Sequence, residues 1–297
     1  MRHFKTLNEL HRAKGFVLPE NPLISLVKCS GQCSSMEDEE FTTDFYMIGF
    51  KKLSSGRFSY GKTKYDHQNG SMSYVKPRQI VSFQDMKFEE EGFLIFFHED
   101  FLSGHTLYQD IKKYNFFNYD VNEALHLSPN EEKIMWELHD KINIEYLNNQ
   151  DEYSREIMIG HIDSILKYSQ RYYKRQFINR KELTGKLVSK FNQLLTDYSE
   201  SGSLRENGFP SVKFMADQLN ISAHYLSDLL KQETGKTGLE LIHIFLISEA
   251  KNLLTGSGNN ITETAYALGF DNLPYFSRLF KKETGLSPKQ FQNQIIN

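Results

Sequence analysis

The spacing of apolar positions changes partway along this chain of 297 residues. Over the first hundred residues they fall in strand-length runs: FYMIGF at 45–50, SMSYV at 71–75, QIVSF at 79–83 and FLIFF at 93–97. Ser54-Ser55-Gly56, ahead of RFSYG, and Lys76-Pro77-Arg78 supply the turns. Short aromatic and β-branched runs broken in this way predict a small barrel or sandwich. After Gly104 the period lengthens to that of a helix. Ile134, Leu138 and Ile142 mark a stripe within 129–148, and Ile157, Ile162, Ile165 and Leu166 another within 154–177. Each stripe must be covered by the barrel, by the other helix or by a second subunit. A further helix carries Leu187, Phe191, Leu194 and Tyr198, and SESGSLRENG then reads as a loop.

A phrase then occurs twice. YLSDLLKQETG at 225–235 and YFSRLFKKETG at 275–285 agree at seven of eleven positions, 50 residues apart. In the first copy, Ser211 can cap a short helix containing Ala216, Asn220-Ile221-Ser222 turns the chain, and Ser222 can cap a second helix that stops at Gly235. In the second copy, Asn260 and Glu263 form a capping box, Ala265 stands in the place of Ala216, and Gly269-Phe270-Asp271 turns the chain. Asn272 then caps a helix with Pro274 in its first turn, which stops at Gly285. Ser287 and Pro288 open a last short helix. Between the copies, Thr237 and Glu240 cap one helix with Leu241, Phe245, Ala250 and Leu253 on its apolar side. Each copy has the layout of a helix-turn-helix unit. Leu226, Leu229 and Leu230, or Phe276, Leu279 and Phe280, should face inward, leaving the opposite face free to enter a major groove. Two such helices on one stiff connector match successive turns of DNA, about 34 Å apart.

Composition narrows the class. Charged residues are 25%, hydrophobic residues 39% and net charge −3, so no global basic balance announces nucleic acid. From Lys190 onward there are ten Lys/Arg and eleven Asp/Glu. Basic charge is local instead. Residues 171–190 carry seven basic side chains and one acid, either a solvated helix face running into a linker or a phosphate-facing patch. The domain boundary is placed here. With so few phosphate contacts per chain, useful affinity should require a dimer on paired half-sites. The two cysteines, Cys29 and Cys33, are too few for a disulfide framework. MRHFKTLNELHR lacks the apolar run of a signal peptide, and no run is long enough to span a bilayer. The expected location is the cytoplasm.

On ITETAYALGFDNLPYFSRLFKKETGLSPKQF (261–291) and FMADQLNISAHYLSDLLKQETGKT (214–237), the chain resembles the AraC/XylS-type transcriptional regulators. The resemblance implies an α+β protein. Residues 1–178 would form a cupin-like β-barrel with two following helices, for effector binding and dimerisation. Residues 179–297 would form an all-α domain of two helix-turn-helix units joined by a linker helix. Helices 222–234 and 272–284 would enter adjacent major-groove segments. By the same resemblance, Ala223, His224, Ser227 and Asp228 face bases in the first unit, and Asn272, Leu273, Pro274, Tyr275, Ser277 and Arg278 in the second. Lys231, Lys281 and Lys282 would meet phosphates. Two positions depart from the family pattern. Asp228 replaces a frequent basic residue and could accept from cytosine N4, and Leu246 replaces an Arg usual in the connector.

Partners implied are double-stranded DNA, a second copy of the chain, a small-molecule effector and, for an activator, RNA polymerase. The barrel pocket would be lined by aromatics such as Phe45, Tyr46, Phe58, Tyr60, Tyr74 and Phe83. His67, His98 and His105 are scattered and form no H-x-H pair. No P-loop, dinucleotide or nucleophile-elbow motif occurs, so no metal, cofactor or catalytic residue is expected. The alternatives are a cupin-type enzyme with a degenerate helical domain, or a DNA-binding protein without a ligand.

Overall fold

The computed structural model describes residues 2–29, 40–51, 59–60, 63–64, 70–81, 92–119, 123–148, 151–179, 181–255 and 260–296. It describes the backbone alone at 29, 59–60, 63–64, 178–179, 181–186 and 294–296. The chain forms two compact units, Met1–Gln176 and Phe177–Asn297.

In the first unit the elements run β1 (Arg2–Phe4), α1 (Leu7–Lys14), β2 (Ile24–Cys29), β3 (Phe41–Thr43), β4 (Phe45–Lys51), β5 (Ser59–Tyr60), β6 (Thr63–Lys64), β7 (Ser71–Val75), β8 (Gly92–His98), α2 (Leu107–Asp110), β9 (Leu125–His126) and α3 (Pro129–Leu147), followed by α4 (Ser154–Asn179). The main sheet is antiparallel in the order β2-β8-β4-β7-β9, and β1 pairs with β3 in parallel. β8, the run read as FLIFF, lies inside the sheet between β2 and β4, and its side chains are buried on both faces. That explains its unbroken apolar sequence. Leu94 and Phe96 join Phe4, Leu7, Leu10, Phe41, Phe45, Met47, Val75 and Val81 in one cluster. Phe93 turns the other way, with ring contacts to Trp136 at 5.0 Å and His139 at 4.4 Å on α3.

The expected closed barrel is not observed. Among the described residues β2 and β9 are edges of an open sheet. Strand count and alternation do not decide closure, because a two-sided layer covered by helices carries the same pattern as a barrel wall. Of QIVSF, the described residues 79–81 form no extended strand. Val81 makes an isolated bridge to Phe41, and residues 82–83 lie outside the described residues.

The helices also shift from their predicted faces. On α3 the buried positions are Met135, His139, Ile142 and Tyr146, rather than Ile134 and Leu138 with Ile142. On α4, Ile162, Ile165 and Leu166 are buried as predicted, but Ile157 is 43% exposed and Met158 and Ile159 are buried instead. The predicted set counted aliphatic residues alone. Here Met, His and Tyr, whose apolar bodies pack against the sheet, define the face.

The effector-pocket candidates do not gather on one face. Phe45 belongs to the α1 side of the sheet. Tyr46 packs on the other side against Phe97 and Phe117, and Tyr74 against Phe116, Phe117 and Tyr173. The Tyr74 hydroxyl bonds to Ser169 on α4. Burial pushes the Tyr46 hydroxyl up to about 12, and Glu99 adds to the shift. Phe58 and Phe83 lie outside the described residues, as does the side chain of Tyr60.

His139 supplies a prediction. It is fully buried, stacked on Phe93 and edge-on to Trp136 at 5.4 Å, with Nδ1 3.1 Å from Asp140 and Nε2 without a hydrogen-bond partner. Burial lowers its pKa, with Asp140 opposing and Lys28 reinforcing the shift. A buried imidazole that resists protonation costs stability only where the unfolded chain takes up the proton, below about pH 6.5. Stability of this unit is therefore full above that pH and falls as the pH drops toward the folded value. Trp136, the only tryptophan, reports this site directly. The tryptophan-monitored melting temperature should fall between pH 7.5 and 5.5, and less so in His139→Phe. An equal fall in both proteins would assign the acid sensitivity elsewhere, to buried His11 first, whose pKa is also lowered by burial.

The second unit is all-helical: α5 (Lys181–Glu200), α6 (Ser203–Asn207), α7 (Val212–Gln218), α8 (Ala223–Thr234), α9 (Gly238–Thr255), α10 (Ile261–Ala267), α11 (Leu273–Thr284) and α12 (Pro288–Ile296). The stretch read as a loop contains α6, started by Gly202 at φ +80° and anchored by buried Leu204. A five-residue helix is too short to show a period. No helix among the described residues is long and apolar enough to cross a membrane.

Candidate nucleic-acid interface

The two copies of the repeated phrase fold alike and share most of their local bonds. Ser211 accepts from the Phe214 amide, and Asn260 from that of Glu263, whose carboxylate accepts in return from the Asn260 amide. The Ile221 amide donates to the Ala216 carbonyl at 3.1 Å, and the Phe270 amide to that of Ala265 at 3.0 Å. Ser222 accepts from the Tyr225 amide and Asn272 from that of Tyr275. Each second helix ends at a left-handed glycine, Gly235 at φ +72° and Gly285 at φ +79°. Inside that stop, Thr234 and Thr284 donate to Leu230 and Phe280 and accept from Lys236 and Leu286. These are local bonds between residues at most five apart, which is why the sequence displays them.

The turns differ in one respect. Asn220 and Gly269 occupy matching left-handed positions, at φ +56° and +77°. A Cβ on Gly269 would lie 2.5 Å from the Leu204 carbonyl oxygen and 2.7 Å from the Gly208 Cα. Asn is tolerated in the first turn, whereas only Gly fits the second. The extra residue of the second turn is Asp271.

Both hairpins share one core. Leu226, Leu230, Met215 and Ala216 from the first, and Phe276, Phe280, Leu279 and Ala265 from the second, are buried with Ile242, Leu246, Ile247 and Ala250 of α9. The connector is thus stiff because it is the centre of the domain. Leu246, where the family pattern expects Arg, is fully buried among these side chains, so apolar packing replaces charge pairing. Leu241, Phe245 and Leu253 are only partly buried, and the most buried stripe is Ile242, Leu246, Ile247, Ala250 and Leu254.

The outward faces of α8 and α11 carry the residues singled out as readers. His224 and Lys231 on α8, and Asn272, Pro274, Tyr275, Arg278, Lys281 and Lys282 at α11, are exposed. Ala223, Ser227, Asp228, Leu273 and Ser277 are half-buried. The Asn272 side chain is occupied as the cap of α11. Tyr225 is buried against Phe177, with ring centroids 5.2 Å apart, as a packing residue should be. In the basic stretch 171–190, Arg175 pairs with Glu131 at 2.9 Å and donates to the His126 carbonyl, so it belongs to the first unit. Arg171, Lys174 and Lys190 are exposed.

Two of the scattered histidines serve their own turns. His98 accepts from the Asp100 amide and His105 from that of Leu107. Among the described residues no three His, Cys, Asp or Glu gather as a metal site, and His67 lies outside them. One neighbour of the candidate readers was missed from sequence. His243, on α9, has its Nε2 3.2 Å from the Tyr275 hydroxyl. Its position gave no signal, because the pairing spans 32 residues and crosses two helices.

The helix-turn-helix domain family matches residues 215–294, from within α7 through the connector and the second hairpin into α12. The C-terminal region is an AraC-type helix-turn-helix domain. The AraC-type domain is also where sequence relatives align. A transcriptional regulator of Bacillus subtilis, YobQ, is 33% identical over 29% of this chain and 36% of its own. A regulator encoded beside cgkA in Pseudoalteromonas carrageenovora is 36% identical over 32% of this chain and 54% of its own. The transcriptional activator RhaS of Yersinia pestis is 30% identical over 37% and 38%. The aligned stretch thus spans 36–54% of the length of these relatives. Among solved structures, the C-terminal domain of AraT, a response regulator from Geobacillus stearothermophilus, is 30% identical, covering 35% of this chain and 84% of that one with a TM-score of 0.31. ToxT from Vibrio cholerae is 15% identical, covering 92% and 97% with a TM-score of 0.30. Superpositions at these scores carry no weight, and the assignment rests on the sequence match.

Proposed function

We propose that this chain is a sequence-specific DNA-binding regulator of transcription. α8 and α11 enter adjacent major-groove segments, each reading bases with the polar face opposite its buried leucines or phenylalanines. The observation that carries this reading is the matched partition of the two helices. A polar side-chain cap, a left-handed glycine stop and three matching buried positions, Leu226 with Phe276, Leu229 with Leu279 and Leu230 with Phe280, leave an outward strip on each, held by a common buried connector. His224, Ser227 and Asp228 read in the first strip, and Leu273, Pro274, Tyr275, Ser277 and Arg278 in the second. Lys231, Lys281 and Lys282 meet phosphates. That relatives bear the names of transcriptional regulators and an activator supports the same role here, with RNA polymerase as a further partner if transcription rises. The first unit, an open sheet beneath an aromatic helical layer, is the candidate site for a small-molecule effector. Selection from a pool of random synthetic duplexes tests the reading: a recurrent motif with two blocks should be enriched, and an unenriched bound pool would reject it.

The active form on this reading is a homodimer. Four large apolar side chains at the junction of α3 and α4 are exposed: Ile144 and Leu147 at 60%, Tyr153 at 61% and Ile157 at 43%. Ser154, which opens α4, donates to Glu145 on α3 at 2.6 Å, bringing these residues to one end of the helix pair. An apolar cluster of this kind on a surface marks a site of association. Light scattering after gel filtration should give twice the chain mass for the native protein and the chain mass for Ile157→Asp. An unchanged mass in the variant would exclude this face as the seam.

A further inference from the structure

We propose that His243 sets whether the Tyr275 hydroxyl offers a proton or a lone pair to the groove, and so tunes which bases the second reading helix accepts. The proposal rests on the DNA-reading role argued above and deepens it. Tyr275 lies on the outward side of α11 and is 37% exposed. Its hydroxyl is nonetheless held from behind, 3.2 Å from His243 Nε2 on the connector. The two rings meet edge to face at 6.4 Å. Phe209 lies beside His243 at 6.3 Å and Phe270 beside Tyr275 at 6.0 Å, so each ring has an aromatic neighbour. The phenol therefore approaches a groove with one hydrogen-bonding valence already committed.

Which valence is committed depends on the imidazole. A tyrosine hydroxyl has one proton to give and lone pairs to receive. When Nε2 is bare, it accepts the tyrosine proton, and the phenol oxygen presents lone pairs outward. Those lone pairs suit the amino groups of adenine N6 or cytosine N4. When Nε2 carries a proton, it donates to the phenol oxygen and frees the tyrosine proton. That proton suits guanine N7 and O6, thymine O4 or a phosphate oxygen. The charged groups around the ring are Glu240 on α9 and Glu283 and Lys282 on α11, and Phe209 brings no charge. Burial is the largest influence on the ring and lowers its pKa. Glu283 and Glu240 oppose that shift, and Lys282 adds to it. Neutral imidazole is thus the state near neutral pH, with Nε2 bare in the Nδ1-protonated tautomer that the proposal requires, and acid protonates both ring nitrogens and makes Nε2 a donor. The first helix has no such device, because the matching Tyr225 is buried.

The test uses the full chain and a pool of duplexes with randomised sequence, sequenced after equilibrium binding at pH 7.5 and at pH 5.8. Proteins compared are the native chain, His243→Leu, His243→Gln, Tyr275→Phe and the double variant His243→Leu/Tyr275→Phe. At the base pairs under the second helix, His243→Leu and Tyr275→Phe should each alter base preference about five- to tenfold. The double variant should do no more than Tyr275→Phe alone, because the two side chains act as one unit. His243→Gln, whose amide both donates and accepts, should restore much of the native preference. Acid should move the native preference toward acceptor-bearing bases, and His243→Leu should not respond. Base pairs under the first helix serve as the internal reference, and thermal melts check folding. Tyr275→Phe keeps the ring and folds even if His243→Leu does not. Native preference retained in His243→Leu at both pH values, or an effect of Tyr275→Phe without one of His243→Leu, would overturn the proposal. No enrichment by the native chain would instead remove the DNA-reading role beneath it.

Discussion

Phe276→Ala should destabilise the C-terminal unit by about 3–5 kcal/mol, the range for emptying a buried aromatic site. Phe276 is fully buried, and its ring meets Phe270 at 5.1 Å and Phe280 at 5.8 Å. It stands in the core that joins both hairpins to α9. The cavity left by alanine would therefore loosen the connector as well as α11, and DNA binding should fall with stability. The unit contains no tryptophan, since the single Trp136 lies in the other. Helix-monitored unfolding by circular dichroism should show the loss, with Trp136 fluorescence as the reference transition. Tyr266→Ala, at a position 56% exposed on α10, should change stability by less than about 0.5 kcal/mol. A Phe276→Ala protein as stable as that control would mean that α11 is not packed as described.

The second large effect concerns charge on α11. Arg278, Lys281 and Lys282 are exposed on one helix, in a region with ten basic and eleven acidic residues from Lys190 onward. The domain has little other positive charge to spend on phosphates, so these three should matter more than single charges usually do. Arg278→Ala should cost about 1–3 kcal/mol on a selected duplex and relax the preferred base at its position. Lys281→Ala and Lys282→Ala should instead weaken binding to all duplexes alike. Each should reduce the slope of log affinity against log salt by roughly 0.9. Titrations at several salt concentrations separate the two behaviours. A uniform loss in Arg278→Ala would make it a phosphate contact, and unchanged slopes in both lysine variants would take α11 off the DNA.

The pair of helix-turn-helix hairpins was readable in the sequence to the extent that its determinants are local. Ser222 with Tyr225, Asn260 with Glu263, and the glycine stops lie within a few residues of each other, and the structure reproduces them. Inward-facing Leu226, Leu230, Phe276 and Phe280 followed from helical spacing alone. Long-range determinants were not readable. The burial of Leu246 depends on hairpins before and after it in the chain. The pairing of His243 with Tyr275 joins two helices. The faces of α3 and α4 are set by the sheet they cover, which draws in Met135, His139 and Met158 and leaves Ile157 outside. The open edge of that sheet is a property of how strands pair across the chain, and alternation within each strand is the same either way.

The measurement that bears most directly on the two-helix reading is methylation interference on a duplex selected by the full chain. Methyl groups on guanine N7 block the major groove only where a protein enters it. With α8 and α11 in successive turns, two clusters of interference should appear on one face of the duplex, centred about 10 base pairs apart. Arg278→Ala should remove part of the cluster belonging to α11 and leave the other intact. A single cluster for each half-site, or interference unaffected by any substitution on α11, would contradict it.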